Sequence, residues 1–261
     1  NRVVIDGSAP VIKEVSGYKA DYTDEGKDWY GSVPTLKYSV KDANLKSIKV
    51  SVNGKSYDQD ISDSDEYTVN LTGVADGKVT VVVNALDKSG NSSKDTYTFY
   101  LDRTTPKNLK GEIEESFNNL TNGVFFKKVP TLKLTAEDDG VGVSTFILND
   151  SKNSTGNFKL NGGEYTVSVS DILGNTTRGV SLSSLLGLKS DKIVVDGVAP
   201  TINRNSGFNG NYSKGDQEWY SKIPNLYYSV SDDYLKSVQI TVNGEGGVVT
   251  PESDGRYKVN L

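Results

Sequence analysis

The stretch "WYGSVPTLKYSVKDANLKSIKVSVNG" at 29–54 returns at 219–244 as "WYSKIPNLYYSVSDDYLKSVQITVNG", with 14 of 26 positions identical. A fainter copy, "FFKKVPTLKLTAEDDGVGVSTFILND", lies between them at 125–150. A short phrase keeps the same interval: "DGSAP" at 6–10, "DRTTP" at 102–106 and "DGVAP" at 196–200. Self-similarity at a period of about 95 residues means one folded unit used repeatedly, with the phrase at each joint. Units of that size bury a core of their own, though toward the marginal end. The expected organisation is the end of a preceding unit or linker over 1–7, a first-type domain over 8–103, a second-type domain over 104–197, and a truncated first-type domain over 198–261. The start at Asn1 without a Met and the stop in mid-pattern read as a fragment of something longer.

Within the first unit, apolar and polar residues alternate with period two. Leu36, Tyr38 and Val40 share one face, as do Ile48, Val50 and Val52, and Tyr97, Phe99 and Leu101. Such runs, separated by turns like "DAN", "NGK" and "DKSGN", are half-buried antiparallel strands. About seven strands per unit, with turn signals every 8–12 residues, predict an all-β chain of tandem Greek-key β-sandwich modules in an elongated array. The abundance of Tyr, Gly, Val, Ser, Thr, Asn and Asp agrees, being the vocabulary of strands and turns. Only "SLSSLLGLKS" at 181–190 suits a short helix or irregular insert.

Several function classes drop out on composition. A net charge of −5 without a basic run speaks against a nucleic-acid partner. With no His and no Cys, neither a zinc centre nor a Ser-His or Cys-His nucleophile can be built. No apolar run approaches the ~20 residues of a membrane span, so none is expected in this chain.

In a Greek-key sandwich the loop between the second and third strands and the loop between the last two return to the pole where the chain enters. That geometry sends Asp6, Asp42, Asp87 and Asn91 to one pole of the first unit. It sends Asp102, Asp138 with Asp139, Asp171 and Asn175 to the same pole of the second, and Asp196 and Asp232 with Asp233 to that of the third. Carboxylates brought together repel unless something neutralises them, and an all-oxygen set favours a hard cation, with Ca²⁺ the extracellular candidate. A second reading stays open: Asp is favoured in turns because it caps nearby N–H groups, with no ion needed. The prolines of the phrase fix φ, and each biases its predecessor (Ala9, Thr105, Ala199) to extended backbone, so the couplings should be semi-rigid.

The D-x-x-x-P starts, together with "ALDKSGNSS" at 85–93 and "SVSDILGNTT" at 168–177, resemble those of bacterial Ig-like repeat domains. The resemblance implies tandem modules of secreted or cell-surface bacterial proteins, serving as stalks, spacers or adhesion modules. Some related extender repeats carry Ca²⁺ at their junctions. The second unit departs from the pattern, with "DDGVGV" where the first has "DANLKS".

The function expected from these readings is a non-enzymatic, semi-rigid spacer or adhesive stalk. Its partners would be its own neighbouring modules and a host or cell-surface glycan or protein. The acidic pairs Asp24/Glu25, Asp63/Asp65 and Glu114/Glu115 read as solvated turns rather than a glycosidase couple. Two alternatives remain. Tyr18, Trp29 and Tyr30, with Trp219 and Tyr220, could stack on sugar rings as part of a carbohydrate-binding accessory region of a secreted glycan-degrading enzyme, although core and edge packing is the favoured reading of them. An exposed strand edge could instead serve a filament or phage-tail subunit. N-x-[ST] triplets at Asn70, Asn119 and Asn175 are expected by chance in an Asn- and Thr-rich chain.

Overall fold

The computed structural model describes residues 3–261. The first unit contains β1 (Val11–Ser16), β2 (Tyr22–Asp24), β3 (Lys27–Tyr30), β4 (Lys37–Lys41), β5 (Leu45–Val52), β6 (Lys55–Gln59), β7 (Glu66–Thr68), β8 (Gly77–Asp87) and β9 (Ser92–Leu101). One sheet has the order β1-β4-β7, the other β2-β3-β9-β8-β5-β6. Apart from the β2–β3 hairpin, which adds a crossing after β1 and another after β3, the chain crosses between sheets after β4, β6 and β7, which is the Ig-like Greek key. The β2–β3 hairpin is an addition to the expected seven strands, and β3 joins β9 in parallel.

Alternation places the core where the sequence puts it. Leu36, Tyr38, Val40, Ile48, Val50, Val79, Phe99 and Leu101 are each at most 1% exposed. They fill the space between the sheets, as two inner faces of a sandwich must. The register of β1 against β4 shifts between Glu14 and Ser16, a β-bulge. Gly17 follows at φ 91, where a Cβ would lie 2.1 Å from the Thr35 carbonyl oxygen, so only glycine lets the chain pass.

The second unit contains β10 (Lys107–Ile113), β11 (Asn118–Leu120), β12 (Gly123–Phe126), β13 (Thr131–Glu137), β14 (Val143–Leu148), β15 (Ser151–Asn153), β16 (Asn157–Lys159), β17 (Thr166–Asp171), β18 (Thr176–Ser181), α1 (Leu182–Leu186) and β19 (Ile193–Val195). Its sheets run β10-β13-β16, β15-β14-β17-β18 and β11-β12-β19. It has its own core around Leu132, Leu160, Val167 and Val169. Helix α1 falls in the stretch expected to form a short helix or irregular insert. Ser181 caps it by accepting from the Ser184 N–H, and Gly187 ends it in the left-handed region.

The third unit contains β20 (Thr201–Ser206), β21 (Tyr212–Lys214), β22 (Gln217–Trp219), β23 (Leu226–Ser231), β24 (Val238–Val242), β25 (Glu245–Val249) and β26 (Tyr257–Val259). Its β20-β23-β26 sheet repeats β1-β4-β7, including the register shift, now between Arg204 and Ser206. These elements correspond to β1–β7 of the first unit. Among its described residues only Tyr257 and Val259 are buried.

Candidate metal centres at the linkers

Each linker is held from both sides. Toward the preceding unit the backbone simply continues: the Asp102 N–H donates to the Tyr30 carbonyl, and the Asp196 N–H to the Phe126 carbonyl. Arg103 adds an ion pair with Asp76 at 2.6 Å and a hydrogen bond to the Val74 carbonyl. Toward the following unit two side chains grip the linker backbone. The Asn91 amide donates to the Asp6 carbonyl and the Ser93 hydroxyl to the Pro10 carbonyl. At the next joint Asn175 donates to the Asp102 carbonyl at 3.1 Å and Thr177 to the Pro106 carbonyl at 2.5 Å. Pro10 and Pro106 are themselves buried, whereas Pro200 is exposed.

This grip carries the linker carboxylate into the pole of the unit that follows. Ligand oxygens of Asp6, Asp42 and Asp87 lie within 4.8 Å of one another, and so do those of Asp102, Asp138 and Asp171. The structure thus assembles six of the ten expected ligands into two matching triads, each with one residue from the linker, one from a loop and one from the end of a strand. Asn91 and Asn175 act beside the triads through their amide nitrogens, which also bind Asp87 and Asp171. Asp139 turns outward and pairs with Lys107. Asp196 and Asp232 cap the backbone N–H groups of Val198 and Tyr234 and belong to no three-carboxylate group among the described residues.

The two triads differ in chemistry. In the first, the Asn44 amide donates to Asp6 at 2.7 Å. Burial pushes the Asp87 carboxyl up, but the Asn91 amide and the N–H groups of Asn91, Gly90 and Ser89 outweigh it and hold the group below the usual range. In the second, Asp102 is 1% exposed and accepts from the Val141 and Thr104 N–H groups and the Thr104 hydroxyl. Here burial prevails at Asp171 and, with the charge of Asp102, raises its carboxyl above the usual range despite the Asn175 hydrogen bonds. One oxygen of Asp138, Oδ2, is buried with no hydrogen-bond partner. A carboxylate oxygen left so suits a cation, since a buried acceptor otherwise goes unsatisfied. The glycine-rich departure of the second unit serves this arrangement: a Cβ on Gly140 would sit 1.8 Å from Asp102 Oδ2, so glycine makes room for the carboxylate.

The expected aromatic ligand residues separate. Tyr30 is buried, its hydroxyl bonded to the Gly17 carbonyl and to the Tyr97 hydroxyl. Tyr18 packs edge-on against Tyr97. Trp29 lies on the outer face, its ring 5.0 Å from that of Tyr100. Trp219 is 57% exposed. Tyr220 is half-buried next to it in the chain.

No family model matches the chain, and no curated protein sequence matches it. Among solved structures, it is similar to a Ca²⁺-stabilised adhesin of an Antarctic bacterium that binds ice: TM-score 0.35, 15% identity, 97% of this chain and 66% of that one. It is also similar to fibronectin(III)-like modules of Clostridium thermocellum CbhA: TM-score 0.34, 12% identity, 71% of this chain and 94% of that one. A third similarity is to a Bacteroides ovatus mixed-linkage glucan utilisation protein, SGBP-B: TM-score 0.27, 10% identity, 97% of this chain and 61% of that one. Likeness at this level carries no functional argument. The architecture and the joints stand on the chain's own residues.

Proposed function

We propose that this chain is a non-enzymatic, semi-rigid spacer or adhesive stalk segment of an extracellular bacterial protein, stiffened by Ca²⁺ at its joints. The observation that carries the reading is the repeated triad: twice, a linker carboxylate meets two carboxylates at the pole of the next unit within 4.8 Å. An ion there ties the linker to the unit at the point where the angle between neighbours is set. In the second triad Asp102, Asp138 and Asp171 would hold it. In the first, Asp6, Asp42 and Asp87 would, with the Asn44 amide competing for Asp6. The ion would supply charge neutralisation and a fixed coordination distance. Of the acidic pair Glu114/Glu115, Glu115 suits a general acid poorly: it accepts from the Thr131 N–H, and that bond holds it below its ordinary range.

Thermal melts and small-angle scattering with Ca²⁺ and with chelator test the proposal. At millimolar Ca²⁺ and a dissociation constant of about 10⁻⁴ M, mass action gives roughly 1–2 kcal/mol of added stability. Asp102→Asn should remove most of the response and Asp6→Asn a smaller part. Melts and dimensions unchanged by the ion would end the metal reading, and a chain whose units tumble independently would end the spacer reading.

A further inference from the structure

Strand register sorts the first unit's larger sheet into two faces, and the outer one has an unusual composition. Cross-strand partners Tyr22, Trp29 and Tyr100 stand in one row across β2, β3 and β9, continued by Lys78 on β8. Directly opposite residues share a face, so the three rings form a line on the solvent side. Trp29 and Tyr100 are tilted by 35° with centroids 5.0 Å apart, and the Lys27 ammonium lies 6.0 Å from the Tyr100 ring. Six residues along β9, about 20 Å at the usual rise per residue, a second row holds Lys94, Asn84, Lys49 and Asp58. It borders a depression of about 410 Å³ that Ser47 and Ser92 also line. Between the two rows the face presents hydroxyls, among them Thr98 opposite Thr80.

The charge of this face opposes that of the chain. It carries Lys27, Lys49, Lys78 and Lys94 against Asp24, Asp58 and the Glu25 of the β2–β3 turn that pairs with Lys27, a surplus of one positive charge on a chain of net −5. Stacked rings at one end, hydroxyls between and paired lysines at the other are the groups that hold an extended sugar chain bearing carboxylates: ring faces for the sugars' C–H faces, ammonium groups for the acids. We infer that the outer β2-β3-β9-β8-β5 face of the first unit binds an acidic polysaccharide, which runs from the Trp29–Tyr100 rings to the Lys49–Lys94 depression. This goes beyond the spacer role, because it gives the array a ligand. The third unit repeats the start of the device, with Tyr212 opposite Trp219. The second unit does not: Asn118 and Phe125 occupy the equivalent pair, and the Phe125 ring instead meets Tyr234 of the third unit at 5.3 Å.

Titration of the whole chain with polygalacturonate oligomers, followed by calorimetry at low and at physiological salt, tests the inference. Saturable binding is expected, weakened by salt, by Trp29→Ala and by the exposed pair Lys49→Glu/Lys94→Glu, each variant by roughly tenfold or more. Tyr22→Ala, at the outer end of the row, provides a second aromatic variant should Trp29→Ala disturb the fold. Absence of binding overturns the inference, and so does binding that neither the aromatic nor the lysine variants change. Equal affinity for neutral cello-oligosaccharides overturns the acidic class. Full competition by single-stranded DNA, or concentration-dependent self-association through this face, overturns the glycan as occupant.

Discussion

Where the first unit closes its larger sheet with one ten-residue strand, β9, the second breaks the corresponding run into β18, α1 and β19. The interrupted unit compensates with side chains. Leu182 of α1 is 1% exposed, and Leu185 and Leu186 lie against Gly111 of β10, so closely that a Cβ there would come within 3.0 Å of both. The interiors differ as well. Tyr30 and Tyr38 of the first unit become Phe126 and Leu134 at the same offset of 96. One topology is thus filled by a hydroxyl-bearing core under an unbroken sheet, or by an apolar core under a sheet patched with a helix. Repeating units keep the alternation and the crossing order, while the side chains that fill the sandwich differ.

The sharpest way to separate the two interiors is alkaline pH. Burial raises the hydroxyl of Tyr18 to about 12. Burial also raises those of Tyr30, Tyr38 and Tyr97, the last with help from its hydrogen bond to Tyr30. The Tyr38 hydroxyl has no partner at all. A raised folded-state value means that the folded unit keeps protons that the unfolded chain has already released. Stability is therefore fully present below the ordinary tyrosine value near 10 and falls as pH rises through the window from there to the raised values. Each retained proton removes about 1.4 kcal/mol per pH unit, less where solvent screens the group. The first unit should unfold between pH 10 and 12 while the second stays folded, as hydrogen exchange read unit by unit would show. Simultaneous loss of both units would show that the cores do not differ in this way.

The helical patch gives the next largest effect, and in the opposite unit. Leu182→Ala deletes a fully buried side chain where no strand can close over the gap, so a loss of about 3 kcal/mol is expected. The loss should be confined to the second unit's melting transition. A change below 1 kcal/mol would mean that α1 decorates the sandwich rather than completing it.

Much of this was legible before any coordinates. Period-two alternation located the inner-face residues Leu36, Tyr38 and Val40, because a half-buried strand cannot hide its pattern. Asp6, Asp42 and Asp87 could be sent to one pole because topology alone decides which loops meet there. The gripping contacts were not legible in the same way. Asn175 and Thr177 form an N-x-[ST] triplet that looks accidental, and only the path of the linker shows both side chains reaching carbonyls four residues apart, Asp102 and Pro106. Asn91 and Ser93 repeat the arrangement on Asp6 and Pro10, so recurrence of the triplet at one place in both units was the available signal. The role of Gly140 was hidden for a similar reason: a glycine beside acidic residues reads as slack in a loop, whereas here it is the space a buried carboxylate occupies.

The joints supply the finest comparison. Gly140 and Asn44 sit at corresponding places in the two triads, each beside a linker carboxylate, but one makes room and the other donates. Gly140→Ala forces a methyl group into the position of Asp102 Oδ2, and the overpacking should destabilise the second unit by about 2 kcal/mol. Asn44→Ala removes one hydrogen bond to the half-buried Asp6, so about 1 kcal/mol is expected. Their effects on the ion should diverge more clearly than their effects on stability. Displacing Asp102 dismantles the second triad, so Gly140→Ala should abolish the Ca²⁺-dependent part of that unit's melting shift. Removing the Asn44 amide frees an oxygen of Asp6, so Asn44→Ala should leave the first unit's Ca²⁺ shift intact or enlarge it. If both variants lower stability but neither alters the response to Ca²⁺, the carboxylates at these poles are turn caps, and the stiffness of the joints comes from the Asn and hydroxyl grips alone.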